Sequence, residues 1–203
     1  MVRPESSGSA NAGAGLRCFS ALAASTDFVD EQVALIARLI ERGHAYVVGG
    51  EVFYDVASFG VYGNLSGKVI DDNEVGASGR VTEDAGRKRN PADFTLWKPS
   101  SADQPSWTTG HPDWPEGRPG WHIECSAMST ALLGETFDVH GGGVDNLFPH
   151  HENEIAQSEC CTGKPFVGIW MHNGFIERGG EKMAKSVGNI DRLRDLLDEF
   201  PPE

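Results

Sequence analysis

Three observations in this sequence predict an α/β layer structure with a mostly parallel sheet. After Gly120, helical apolar periodicity alternates with short apolar runs bounded by glycine, the pattern of strands separated by crossover helices. Two loops with chemical potential, one glycine-rich and one lysine-rich, follow such runs, and α/β folds bind ligands beyond the carboxyl ends of their strands. With 203 residues and 39% apolar content the chain can bury one core and a small appended lobe, but not two full domains.

Residues 1–25 are rich in Ala, Ser and Gly without periodicity, which predicts a disordered, low-complexity segment. A transit peptide has similar composition, but two arginines are few for that role. From Thr26 or Asp27, either of which can cap, a helix is expected to about Arg42, with Val29, Val33, Ile36 and Ile40 on its apolar face and Gly43 as its stop. Ala45 to Val48 and Glu51 to Val56 flank Gly49-Gly50 and predict a hairpin. A loop-rich insertion is expected over about 57–120, interrupted by a strand at Asp93 to Trp97. Five prolines between Pro99 and Gly120 forbid a helix, so the seven-residue spacing of Trp107, Trp114 and Trp121 is not a heptad. The first two read as aromatics packed under an irregular loop. Then follow a helix (Ile123 to Leu133), a strand (Phe137 to His140), a glycine loop, a helix (Pro149 to about Cys161), a strand (Phe166 to His172), the lysine loop and a helix (Ile190 to Phe200).

The formal charge of −13 opposes general affinity for polyanions, because nucleic-acid binding rests on Lys and Arg neutralising phosphates. One short basic cluster, Arg87-Lys88-Arg89, stands against it, so an RNA substrate would need a docking surface elsewhere. The acidity also fits a high-salt cytoplasm. No apolar run is long enough to span a bilayer, and a cytoplasmic, monomeric protein without a membrane partner is expected. Four cysteines, two of them adjacent, suit reduced thiols or a metal ligand better than a disulfide framework.

His150 and Glu154 are four apart at the start of a predicted helix and project from one face, where they can share a metal. Cys125 beside another predicted helix would complete a borderline-soft set suited to zinc, although the same residues also read as satisfied polar groups. His151 and Glu152, on the neighbouring face, are near rivals for that metal role but read first as solvated helix surface. His140-Gly141-Gly142-Gly143 after a strand, with Asp145 following, lets backbone approach a ligand and offers an acid to ribose hydroxyls. It matches neither a P-loop nor a dinucleotide fingerprint.

The blocks GRPGWHIECSAMS, FDVHGGGVDNLFPHHENEIAQSE, and WMHNGF followed by EKMAKSVGN occur in this order. Together they resemble the second half of the catalytic domain of the cysteinyl-tRNA synthetases, class I enzymes with a Rossmann-like nucleotide-binding fold. The resemblance is continuous from about Phe28 to Phe200. It implies ATP-dependent activation of cysteine to cysteinyl-adenylate and transfer to tRNA(Cys), with ATP as substrate, accompanied by magnesium. It also implies one zinc ion that selects the substrate thiol over a hydroxyl, held by Cys125, His150 and Glu154. Trp121 and His140 would line the cysteine pocket, and His140, Gly141, Gly142, Gly143 and Asp145 would receive adenosine. Lys182, Lys185 and Ser186 belong to a segment one residue away from the KMSKS loop, whose two lysines would act on the phosphates. Ala184 stands where the family usually has Ser, and the missing hydroxyl is expected to weaken loop ordering by about 1 kcal/mol.

Two departures bear on activity. The family's fourth zinc ligand is a cysteine just ahead of the HIGH motif. This chain has no H-x-G-H, and Cys18 lacks the family's flanking residues. The first half of the nucleotide-binding fold and the anticodon-binding helices are therefore expected to be missing, the chain alone to be impaired in adenylation, and zinc to be held weakly. Two other readings are a non-catalytic zinc- or nucleotide-binding relic that serves as an interaction module, and a mycothiol-pathway cysteine ligase. The stretch ENEIAQSE favours the synthetase over the latter.

Overall fold

The computed structural model describes residues 23–68, 86–184 and 186–200. Most of the low-complexity N-terminal segment, Cys18 included, and Lys185 lie outside them. Ala24–Asn173 make one compact unit, and the chain from Gly174 onward belongs to another.

In the larger unit a 3₁₀ turn, Ser25–Phe28, leads into α1, Val29–Glu41. Its buried stripe is Val29, Gln32, Leu35, Ile36 and Leu39, whereas the expected Val33 and Ile40 are half-buried. The stripe is rotated because Gln32 occupies a core position, with its amide donating to the Ser25 carbonyl at 2.9 Å. A polar residue there hides the true face from an apolar-only reading.

Strands β1 (Ala45–Val48) and β2 (Glu51–Tyr54) form the expected hairpin around Gly49-Gly50. β3 (Phe94–Lys98), β4 (Trp107–Thr108) and β5 (Glu116–Pro119) complete a five-stranded antiparallel sheet of order β1-β2-β3-β5-β4. The proline-rich passage thus supplies two short strands, and Trp114, 2% exposed, packs edge-on to Trp97.

Gly120 leads into α2, Trp121–Leu133. A βαβ unit follows: β6 (Phe137–Gly143), then α3 (Glu152–Thr162), then β7 (Val167–Asn173), with β6 and β7 parallel. Among the described residues parallel pairing, expected for most of the sheet, is confined to these two strands. Parallel neighbours need a long crossover, which α3 supplies, while β1 and β2 are joined by the two-glycine turn that returns the chain antiparallel. The glycine loop after His140 is a strand instead: Gly141, Gly142 and Gly143 pair with Met171, His172 and Asn173.

The core joins α1, β2, β3, α2 and α3. Tyr54, fully buried, stacks on Phe94 at 4.8 Å and donates its hydroxyl to the Ala156 carbonyl at 3.1 Å, fastening the sheet to α3. None of the helices among the described residues is long and apolar enough to cross a membrane.

From Gly174 onward, β8 (Glu177–Arg178) and β9 (Glu181–Lys182) form a hairpin, followed by the short α4 (Leu193–Glu199). Arg178 pairs with Asp191 at 2.8 Å, and Asn189 accepts the Ala184 N–H at 2.9 Å, so the lysine-bearing segment closes on itself.

Candidate metal centre

α3 begins directly after a π-type turn, Leu147–His151, and this junction carries His150, His151, Glu152, Asn153 and Glu154 in one run. All five are buried, Glu154 completely. His151 and Glu152, expected on a solvated face, are 2% and 1% exposed; the correction follows from the packing of α3 against neighbours on more than one side.

A Cys125 sulfur, a His150 ring nitrogen and a Glu154 carboxylate oxygen lie within 4.8 Å of one another. Nε2 atoms of His140, His150 and His151 lie 3.2, 3.6 and 3.9 Å from Glu154 Oε2. None of these approaches has hydrogen-bond geometry, and both Glu154 oxygens are without a hydrogen-bond partner among the described residues. A buried carboxylate in that state is costly by several kcal/mol. Its place in the first turn of α3 offsets part of the cost, because the helix N-terminus favours negative charge. A cation between these donors would offset the rest. Cys125 points the same way: burial, then the charges of Glu154 and Glu124, push its thiol up to about 12, so a thiolate there needs a cation beside it. His140, His151 and Glu154 make a second three-donor set around the same carboxylate. The first set is the softer one, through its sulfur, and so the better match to zinc.

The imidazole of His150 is fixed on both sides. Trp121, 58% exposed, stacks on it at 4.3 Å and 21°, and His122 Nδ1 lies 2.8 Å from His150 Nδ1. One of the two Nδ1 atoms must carry the hydrogen and the other accept it. Burial and the neighbouring His150 pull the pKa of His122 down to about 3, which keeps His122 neutral. If His150 holds a metal through Nε2, its Nδ1–H donates to His122, the outer-sphere hydrogen bond common to metal-bound histidines. His122 is itself held by Phe94, edge-on at 5.7 Å, and its carbonyl accepts the Gln157 amide at 3.1 Å.

His151 is locked in a different way. Its Nδ1 lies 2.7 Å from His172 Nε2, and its ring packs on Trp170 and His140. A Cβ on Gly142 would fall 2.7 Å from the His151 ring, so glycine at that position makes room for the imidazole. Burial, followed by three neighbouring imidazoles, draws the His151 pKa down to about 4.

The structure therefore brings Cys125, His150, Glu154, His140 and Trp121 together in the larger unit. Gly141 to Gly143 lie in β6 and Asp145 in the 3₁₀ turn Val144–Asn146 beside it. Lys182 and Ser186 belong to the other unit, where Lys182 Nζ rests 3.5 Å from the centroid of the Phe175 ring. His122 and His172 were not singled out from the sequence, and His151 was read there as solvated helix surface. The adjacent WH and HH pairs flanking the chosen residues were the available signal.

The catalytic-domain family described as tRNA synthetases class I (C) matches residues 15–203. The chain belongs to that family. The chain is 55% identical over 180 residues to a cysteine–tRNA ligase from Rhodospirillum rubrum, covering 88% of the chain and 38% of that relative. It is equally similar to one from Alkalilimnicola ehrlichii, and 52% identical over 178 residues to one from Pelotomaculum thermopropionicum, of which it covers 36%. The chain thus spans less than two fifths of the length of these curated relatives.

Proposed function

We propose that this chain forms the cysteine-selecting part of a cysteine–tRNA ligase, with Cys125, His150 and Glu154 holding one zinc ion. The observation that carries the reading is Glu154, a fully buried carboxylate with neither oxygen hydrogen-bonded, facing a thiol and an imidazole. A zinc ion bound there supplies a soft Lewis acid that prefers the thiol of cysteine to the hydroxyl of serine.

Around it, the chain's own groups have separate tasks. His122 fixes the His150 ring, and Trp121 covers that ring on its exposed side. His140, at 3.2 Å from Glu154, closes the wall between β6 and α3. Gly141 to Gly143 at the end of β6 offer the adenosine a surface without side chains, with His140 before them and Asp145 after them. Lys182 and Lys185, with Ser186, neutralise the triphosphate as charge moves to the leaving pyrophosphate. In the overall reaction the cysteine carboxylate attacks the α-phosphorus of ATP, pyrophosphate leaves, and the acyl group passes to a ribose hydroxyl of tRNA(Cys) with release of AMP. Magnesium accompanies ATP.

Zinc-loaded and chelated forms of the 203-residue chain, titrated with cysteine and serine by calorimetry, test the reading. Cysteine binding that requires zinc, with no detectable serine binding, is expected. Equal binding of cysteine to both forms would defeat it. Because no H-x-G-H occurs in these 203 residues, cysteine-dependent pyrophosphate exchange by the chain alone is expected to fall far below that of a full-length relative.

A further inference from the structure

Opposite the donor set, the same five-residue run of α3 is gripped by a turn from the expected insertion. Glu152, 1% exposed, accepts the Gly63 N–H on Oε1 at 2.8 Å and the Ser66 N–H on Oε2 at 2.9 Å. The Tyr62 hydroxyl donates to Asn153 Oδ1, and Lys68 Nζ lies 4.4 Å from the centroid of the Phe148 ring. The Tyr62 ring meets Phe148 edge-on. Five contacts from residues 62–68 thus fall on Phe148, Glu152 and Asn153, the residues that flank His150 and Glu154. The turn itself is built for this: Gly63 has φ +95°, and a Cβ there would fall 1.9 Å from the Lys68 carbonyl oxygen.

We propose that Glu152 is a positioning residue, through which the 62–66 turn fixes the π turn and first turn of α3 and so sets the spacing of His150 and Glu154. The role follows from what those ligands lack. Among the described residues no hydrogen bond orients Glu154, so the backbone carrying it must be held from elsewhere. A carboxylate accepting two backbone N–H groups is a strong, directional hold of that kind, and its partners lie 86 and 89 residues away in sequence. This inference rests on the metal reading above.

The test measures zinc affinity of the full chain by competition with a chromophoric chelator, together with the absorption spectrum of the cobalt-substituted form. Glu152→Gln cannot accept both N–H groups, and it is expected to weaken zinc binding by about 10-fold to 100-fold and to shift the cobalt bands. Tyr62→Phe, a milder change to the same grip, is expected to cost about fivefold. Asp93→Asn is the control. Asp93 is equally buried and accepts Val56 N–H, Asn90 N–H and the Tyr46 hydroxyl, far along the chain from the ligands. It should lower the melting temperature and leave zinc affinity and the cobalt spectrum unchanged. Zinc affinity in Glu152→Gln and Tyr62→Phe equal to the parent's would overturn the role while leaving the metal reading intact. An equal loss in Asp93→Asn would overturn it as well, by tracing the effect to general destabilisation. A parent chain that holds no zinc would defeat the metal reading, and the role of Glu152 with it.

Discussion

Glu154 and Lys182 are both charged residues assigned to chemistry, yet they are presented in opposite ways. Glu154 is 0% exposed, on a long helix, surrounded by imidazoles that are themselves stacked and hydrogen-bonded. Lys182 is exposed on a two-residue strand, and its ammonium rests on Phe175. The difference fits the work proposed for each. Selecting a thiol by metal ligation needs donors placed within a few tenths of an ångström, which only a packed core can enforce. Neutralising a triphosphate needs charge that can reach a ligand, and an exposed hairpin supplies it with little stability at stake.

The sharpest way to break this contrast is to remove a ligand from the buried set. Cys125→Ser and His150→Ala are each expected to reduce zinc affinity by more than about 100-fold in equilibrium dialysis, beyond what loss of an outer-sphere partner costs. Glu154→Gln should change sign with metal. In chelator the variant is expected to be more stable than the parent by about 1 to 4 kcal/mol, because a buried unpaired charge becomes a neutral amide. In excess zinc it should be the less stable of the two. Urea denaturation with and without chelator decides the matter, and the same ranking in both conditions would remove the cation from the account.

Gly142→Ala follows in size. Its new methyl group meets a ring already enclosed by His140, Trp170 and His172, and a loss of about 1 to 3 kcal/mol is expected in denaturant melts. Gly143→Ala should cost less, since the atom it would meet is the movable end of the Asp145 side chain.

Acid sharpens the comparison further. His122 titrates at about 3 in the folded chain against 6.5 as its ordinary value, so below 6.5 the unfolded chain binds a proton that the folded chain refuses. Its contribution to stability is present above pH 6.5 and is lost as the pH falls toward 3. His151, lowered to about 4, acts in the same sense. The melting temperature of the chelated chain should fall across that window, and Gln at position 122 should flatten the fall. The smallest effect belongs to the exposed hairpin. Lys182→Ala is expected to change stability by no more than about 1 kcal/mol, the worth of an exposed cation–π contact, while lowering ATP affinity in a filter-binding assay.

Local patterns carried much of the fold. The hairpin at Gly49-Gly50, the helices after Gly120 and the strands flanking α3 follow from turn chemistry and periodicity over a few residues. Three features did not follow from it. Gln32 concealed the register of α1 because a core amide satisfied by a carbonyl cannot be told from a surface one by type. The stretch from Gly141 to Gly143 looked like a ligand loop, whereas its partners Met171 to Asn173 make it a strand. His151 and Glu152 looked solvated because residue type alone ignores what distant segments bring to them, His172 of β7 to the one and the 62–66 turn to the other.

By itself the sequence determined most of the helices, the Gly49-Gly50 hairpin, the family, and the four-residue spacing that brings His150 and Glu154 together, since these depend on residues close together or on long matching blocks. Tertiary structure alone decided which of the neighbouring polar residues are buried together and which partners hold them. Glu152 meets Gly63, Tyr54 meets Ala156, and His122 meets His150 across separations that no local pattern encodes. The physical reason is that burial of a polar group is a property of its surroundings, and its cost is met only by partners the folded chain delivers.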